Sequence, residues 1–468
     1  MSFSISSEVD KNKVFLANVS DLKGRFDPHF YRPFFRHIVR SVNNSKPEKL
    51  GSIVQFSCEC WNQKDLFDAT FPYIEIGEID LLTGEIKSIQ SLKIKEAPSR
   101  AKMIVRNGDI LVSTTRPSRG AISLVCADGV SIASTGFAVI RKVKNVDIDK
   151  HYLFYWLRQN CSLWQMEQRS SGGNYPAITQ EELSRIKIPV PPKEIQYQVV
   201  SIMEAAYSAK RSKEEKAQKL LDGIDDYLLG ELGIDFLERG ENTLKSRIFT
   251  RRLSEVSGGR LDAPVHQNKY VLETAKYPMN RFGDCVFINP LVSFSGFSPD
   301  TQATFIPMEK ISDEYGEADI SEFRTLTESG GYTKFQDNDL LWAKITPCMQ
   351  NGKSAIVSGL RNSIGFGSTE FHIFRAKSGT DIGYIYGLLR LHSLRNHAVL
   401  YFSGSAGHQR VSDEFFKKLN IPKPPLEKQT EIANHITEIR NQAKRLREQA
   451  KADLEQAKQE VETMILEW

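Results

Sequence analysis

Two short segments carry the side chains best suited to grip another molecule. Arg116 and Arg119 lie in Thr114-Thr-Arg-Pro-Ser-Arg-Gly120, and Lys344, Gln350, Asn351 and Lys353 lie in Lys344-Ile-Thr-Pro-Cys-Met-Gln-Asn-Gly-Lys353. Each segment follows a β-rich run, and each offers donors of the kind that meet guanine O6/N7, adenine edges or phosphate oxygens. A second pair is rich in glycine. Arg169, Asn174 and Tyr175 belong to Arg169-Ser-Ser-Gly-Gly-Asn-Tyr175, and His408, Gln409 and Arg410 belong to Ser403-Gly-Ser-Ala-Gly-His-Gln-Arg410. Backbone this poor in Cβ atoms allows close approach to phosphate. A lone Arg or Lys is more often a solvated charge than a base contact, but clusters at matching places in two copies shift that weighting.

Catalytic constellations are thin. Pro347-x4-Gly352-Lys353-Ser354 resembles a phosphate-binding loop, yet proline replaces its first glycine and only one copy carries it. Asn289-Pro290-Leu291 is a faint echo of the Asn-Pro-Pro-Tyr/Phe sequence that serves adenine methylation. No Gly-x-Ser-x-Gly elbow or His-x3-His pair occurs, and the nine histidines are dispersed. No catalytic or metal-binding residue is assigned.

The positions match because the chain repeats itself. Ile188-Pro-Val-Pro-Pro-Lys-Glu-Ile-Gln196 returns as Ile421-Pro-Lys-Pro-Pro-Leu-Glu-Lys-Gln429, an offset of 429 − 196 = 233. Gly24-Arg-Phe-Asp27 answers Gly259-Arg-Leu-Asp262, Asp109-Ile-Leu111 answers Asp339-Leu-Leu341, and Pro117 aligns with Pro347. Ser134-Thr-Gly-Phe137 answers Ser368-Thr-Glu-Phe371, and Ser171-Gly172 answers Ser403-Gly404. Six landmarks in one order at a nearly constant offset mark a duplicated domain, far longer than a solenoid repeat.

With 468 residues the chain has room for two or more cores, and Lys+Arg 62 against Asp+Glu 58 permits a nucleic-acid partner without demanding one. Six scattered cysteines point to free thiols in a reducing cytoplasm rather than to zinc. The start MSFSISSEVD lacks the pattern of a signal peptide, and no apolar run approaches the ~20 residues needed to span a bilayer. A soluble, intracellular protein is expected.

Each copy reads as mixed α/β. In the first, strands are expected at 73–79, 103–106, 109–115, 121–126 and 137–141, then an aromatic helix at 149–168; in the second, strands near 304–311, 339–345, 354–357 and 370–375, then a helix at 382–400. A long helix closes each copy. The last one carries Ile432, Ile436, Ile439, Ala443, Leu446, Ala450, Leu454, Ala457, Val461 and Met464, a heptad seam with one stutter. The first carries Ile195, Val199, Ile202, Ala206, Ala209, Leu220, Ile224 and Tyr227, interrupted by Lys213 and Lys216. Helices of ~37 residues extend about 55 Å, and neither seam can face water alone. Packing of the two against each other is the economical solution; docking of each on another protein is the alternative.

A pair of α/β modules, each ending in Ile-Pro-x-Pro-Pro-x-x-x-Gln and a long helix, resembles the specificity subunit of type I restriction–modification systems over essentially the whole chain. The resemblance implies an α+β fold of two tandem, pseudo-two-fold related target recognition domains separated by an antiparallel coiled coil. The expected division is residues 1–190 and 231–424 for the domains and 191–230 and 425–468 for the helices. It implies that each domain reads half of a bipartite site in double-stranded DNA. The helices would dock two methyltransferase subunits, with endonuclease/translocase subunits joining the complex. No cofactor is expected on this chain; S-adenosylmethionine, ATP and magnesium would sit on the partners, and the chain itself would be non-catalytic. A recognition subunit of another methyltransferase-containing system and a coiled-coil scaffold that leaves DNA alone are the competing readings. An approximate two-fold axis suits a duplex, whose dyads let two modules bind in opposite orientations.

Overall fold

The computed structural model describes residues 9–10, 13–17, 19–22, 26–63, 65–234, 248–250, 252, 272, 274–404 and 409–468. The second copy's Gly259-Arg-Leu-Asp262 landmark lies outside them. Two sheet-rich units are present: Met1–Ser212 with Gln449–Trp468, and Lys213–Glu448. The fold is α+β.

Each unit contains two four-stranded sheets of the same topology. The first unit orders Val54–Phe56, Phe137–Val143, Ile110–Ser113 and Ile122–Leu124 in one antiparallel sheet, and Gln90–Lys93, Thr70–Ile74, Val130–Ser134 and Ala101–Arg106 in the other. The second unit repeats this with Val286–Ile288, Phe371–Ala376, Leu340–Ala343 and Ser354–Ile356, then Phe323–Thr325, Gln302–Ile306, Ile364–Gly367 and Thr333–Gln336. Among the described residues one parallel pairing in each unit recurs at the same place, Thr70–Ile74 with Val130–Ser134 and Gln302–Ile306 with Ile364–Gly367.

Strand alternation explains the layering. Ile110 and Val112 point into a core shared with helices, while Leu111 points into a core shared with Ile74, Val105 and Ala133 of the other sheet. Leu340 and Trp342 divide from Leu341 in the same way. A strand covered on both faces reads as a continuous apolar run, which is why these two were visible in the sequence. Strands Val130–Ser134 and Ile364–Gly367, rich in Ser and Gly, were not.

The aromatic helices differ from expectation. Instead of one helix at 149–168 there are Lys150–Leu157 and Asn160–Arg169; instead of one at 382–400 there are Ile382–Arg390 and His392–Val399. The breaks lie at Gln159 and Leu391, both extended at ψ 152° and 127°. A carboxylate from a long helix then accepts the first amides of the next helix: Glu462 from Cys161 N at 2.6 Å, and Asp225 from His392 N at 2.8 Å.

The duplicated proline motif is a clamp. Gln196 is buried; its Oε1 accepts from Asp149 N at 2.8 Å while Nε2 donates to Asp147 O and Pro191 O at 2.7 and 2.8 Å. Gln429 does the same with Asp381 N, Gly379 O and Pro424 O at 3.0, 3.3 and 2.8 Å. Tyr152 and Tyr384 hydroxyls donate to Pro189 O and Pro422 O at 2.9 and 2.8 Å. The motif thus ties the start of each long helix to the start of each aromatic helix.

The long helices are Lys193–Leu232 and Leu426–Glu467. Within the second unit they run antiparallel: Glu231 pairs with Lys428 at 2.8 Å, Tyr227 packs on His435, and Gln218 accepts from Arg447 at 2.7 Å. Within the first unit Val199 and Met203 share a core with Leu454, Val461 and Ile465. The buried seam of the first helix passes through Val199, Met203, Ala217, Ile224, Leu228 and Leu232. Lys216 is exposed and the buried lysine is Lys210, so the polar interruption falls one turn earlier than the sequence placed it.

Candidate nucleic-acid interface

In the first unit the strand Ile110–Ser113 delivers the chain into a turn where Arg116 adopts φ +48° and Gly120 φ +77°. The turn is joined to the Gly-rich loop by a bridge between Thr115 and Ala177. Arg116 N donates to Pro176 O at 2.7 Å and Ile178 N to Thr114 O at 2.8 Å. The Arg116 guanidinium donates to Asn174 O at 3.2 Å and lies 4.2 Å over the Tyr175 ring, which is 70% exposed. The ring face and the carbonyl together favour the cation in this place. Arg119 is exposed in the same turn. Arg169 is engaged differently, donating to Glu182 at 2.9 Å and lying 5.6 Å over Phe30.

The second unit builds the same joint. Ile345 bridges to Arg410, Thr346 N donates to Gln409 O at 3.0 Å, and Val411 N donates to Lys344 O at 3.0 Å. Its side chains differ. Arg410 makes a bidentate pair with Glu370 at 2.7 and 2.8 Å. That pair holds the Glu370 carboxyl below the usual range, with Lys344 adding to the effect. Gln350 and Asn351 are exposed; the Gln350 side chain accepts from the Thr346 hydroxyl and its carbonyl accepts from Arg395. Lys353 Nζ donates to Met308 O at 3.2 Å. His408 lies outside the described residues.

The two segments of each set are therefore adjacent in space. Two residues under the second joint escaped the sequence reading. Glu370 replaces Gly136 within the aligned Ser-Thr-Gly/Glu-Phe landmark, a signal that was available. His372 stands where the first unit has Ala138, and its ring nitrogens meet Val411 O at 2.8 Å and the Asn289 side chain at 3.1 Å. Burial pushes its pKa down to about 4. Among the described residues no group of three or more His, Cys, Asp or Glu is placed to hold a metal ion, and no helix is long and apolar enough to cross a membrane.

Comparison with known proteins gives one consistent result. The family model for the type I restriction modification DNA specificity domain matches residues 43–221 and 294–456, once for each copy. The Escherichia coli type I restriction enzyme EcoAI specificity subunit is 39% identical over 155 residues, covering 32% of this chain and 26% of that protein. The EcoEI specificity subunit of the same species is 36% identical over 149 residues, covering 31% and 25%. The matched region thus spans about a quarter of these curated relatives. A chain from a solved structure of complex assembly and conformational transition of the type I R-M system superposes with a TM-score of 0.54 at 19% identity, over 90% of this chain and 97% of that one, a likeness of fold.

Proposed function

The chain belongs to the type I restriction modification DNA specificity domain family, and on that premise we propose that it is the DNA-reading subunit of a type I restriction–modification complex. Each unit reads one half of a bipartite duplex site through its joined loop pair. Arg116, Arg119, Asn174 and Tyr175 face one half, and Lys344, Gln350, Asn351, Lys353, His408, Gln409 and Arg410 the other; Arg169 shapes the first pair through Glu182. The observation that carries this reading is one backbone joint built twice, with divergent side chains on it. A shared frame with different donors is what two unlike half-sites require.

The long helices are the docking faces for two methyltransferase subunits, with endonuclease/translocase subunits completing the assembly in the cytoplasm. Methyl transfer and cleavage belong to those partners, which hold S-adenosylmethionine, ATP and magnesium; this chain is non-catalytic. The test is exchange of residues 20–187 for the same region of a relative, followed by sequencing of the methylated motif in cells carrying the complex. One half of the motif should change and the other should stay. Change in both halves, or methylation by the purified chain alone, refutes the reading.

A further inference from the structure

An arginine recurs at the break in each aromatic helix, buried in the first unit and half-buried in the second, and it belongs to none of the loops described above. Arg158 is 6% exposed, and no carboxylate among the described residues pairs with it. Its guanidinium instead donates to four carbonyls: Gly120 O and Ile122 O at 3.3 and 2.8 Å, and Leu81 O and Leu82 O at 3.2 and 2.8 Å. Arg390 donates to Gly352 O at 2.8 Å and to Asp313 O and Glu314 O at 2.6 and 3.1 Å. Both side chains therefore bind the glycine that ends a reading turn and, with the other nitrogen, a second turn distant in sequence.

Three positions around them recur at one offset. Gly120 and Gly352, Gly84 and Gly316, and Arg158 and Arg390 are each separated by 232 positions. Gly84 and Gly316 both have positive φ, +76° and +69°, and a Cβ at Gly84 would stand 2.5 Å from Arg158 Nη1. At Gly316 it would stand 1.4 Å from the Tyr386 hydroxyl and 3.1 Å from Arg390 Nη1. The second turn is itself fastened to a long helix of its own unit. Glu85 pairs with Arg211 in one case; Glu317 pairs with Lys444 at 2.7 Å and Glu314 with Arg447 in the other.

We propose that Arg158 and Arg390 are specificity-positioning residues. Each clamps the end of its reading turn to a turn anchored on a long helix, and each governs base discrimination in its own half-site only. A planar fork with five donors can satisfy carbonyls on two segments at once; an ammonium group cannot hold that spread. A cation held by backbone carbonyls and a ring face, with no carboxylate beside it among the described residues, fixes position rather than supplying an ion pair.

This inference rests on the recognition reading, and the test separates the two. The full wild-type chain first selects its preferred duplex from a randomised library, and single-base variants of each half are then ranked by competition. If the wild-type chain selects no sequence, the recognition reading falls and this inference with it. With a selected site in hand, Arg158→Lys should reduce discrimination in one half by about tenfold or more and leave the other half unchanged. Arg390→Lys should do the reverse. Unfolding of one unit would also be confined to one half, so amide exchange must first show the strands Ile110–Ser113 and Leu340–Ala343 as protected as in the wild type. With the core intact, a half-restricted effect identifies positioning. Gly84→Ala, which displaces the turn from an intact Arg158, should reproduce the Arg158→Lys pattern, and amide exchange at Gly120–Ile122 should quicken without DNA in both variants. Unchanged discrimination, or equal loss over both halves in a folded protein, overturns the proposal.

Discussion

At the edge of the first unit Arg116 lies over an exposed tyrosine, whereas at the matching edge of the second unit Arg410 is locked to Glu370. The backbone joints beneath them are the same, with Thr114 N donating to Gly136 O and Lys344 N to Glu370 O at 2.8 and 2.9 Å. Conservation of the joint frees its side chains to diverge. Thr114, Gly136 and Ala138 give the first unit a small, uncharged floor; Lys344, Glu370 and His372 give the second a charged and bulky one. A duplicated frame thus separates the part that must stay fixed from the part that must differ.

Acid should break the comparison most strongly. Burial holds His372 and His397 near about 4, against an ordinary 6.5. Below pH 6.5 the unfolded chain takes up protons that the native unit refuses, so the second unit loses stability as pH falls toward 4, and these histidines cost nothing further below it. For His372 the loss approaches about 3 kcal/mol. The first unit has Ala138 and Gln165 at these places. Amide exchange at pH 7 and pH 4.5 should show protection falling further in the second unit; equal falls would remove the contrast.

The frame itself should respond alike in both copies. Gln196→Ala and Gln429→Ala each strand a buried amide N–H and two carbonyls, and each should cost about 2–3 kcal/mol in its own unit. Urea titrations followed by exchange in each unit measure this. A large difference between them would mean that the clamp matters in only one copy.

A smaller effect separates reading from mere attachment. Alanine at both Arg116 and Arg119 should weaken binding by about 1–3 kcal/mol at one half-site, and Lys344→Ala should act at the other. Competition with altered half-sites decides; uniform weakening over all sequences would assign these side chains to phosphates. The smallest change is expected for Glu370→Gln. The pair it breaks is 22% and 42% exposed, so thermal unfolding should register a loss of about 1 kcal/mol or less, shrinking further in salt.

The duplicated frame was legible because its signals are local. Doubly covered strands, the proline motif and the heptad seams each leave a pattern within a few residues. Strands Gln90–Lys93 and Phe323–Thr325 left none, because their places are set by partners far along the chain. The loop donors were legible as clusters, and the structure brings the two segments of each cluster together. The engagement of Arg169 with Glu182 could not be seen, since an arginine near a loop has the same appearance whether it serves the fold or a ligand. Arg158 and Arg390 were hidden for a related reason. Inside an aromatic helix a lone cation reads as a surface residue, and only the tertiary arrangement of carbonyls shows that it is engaged.

The first unit draws Leu454, Val461 and Ile465 into its core, whereas the second is continuous in sequence. During synthesis this reverses the order of completion. The ribosome must add 449 − 212 = 237 residues after Ser212 before the missing piece appears, roughly 10–50 s at ordinary elongation rates. The unit begun first therefore finishes last, with Val199 and Met203 lacking their partners in the interval. A nascent chain released early would carry a finished second unit and an open first one, so frameshifts beyond residue 448 should strike the half of the molecule encoded farthest upstream.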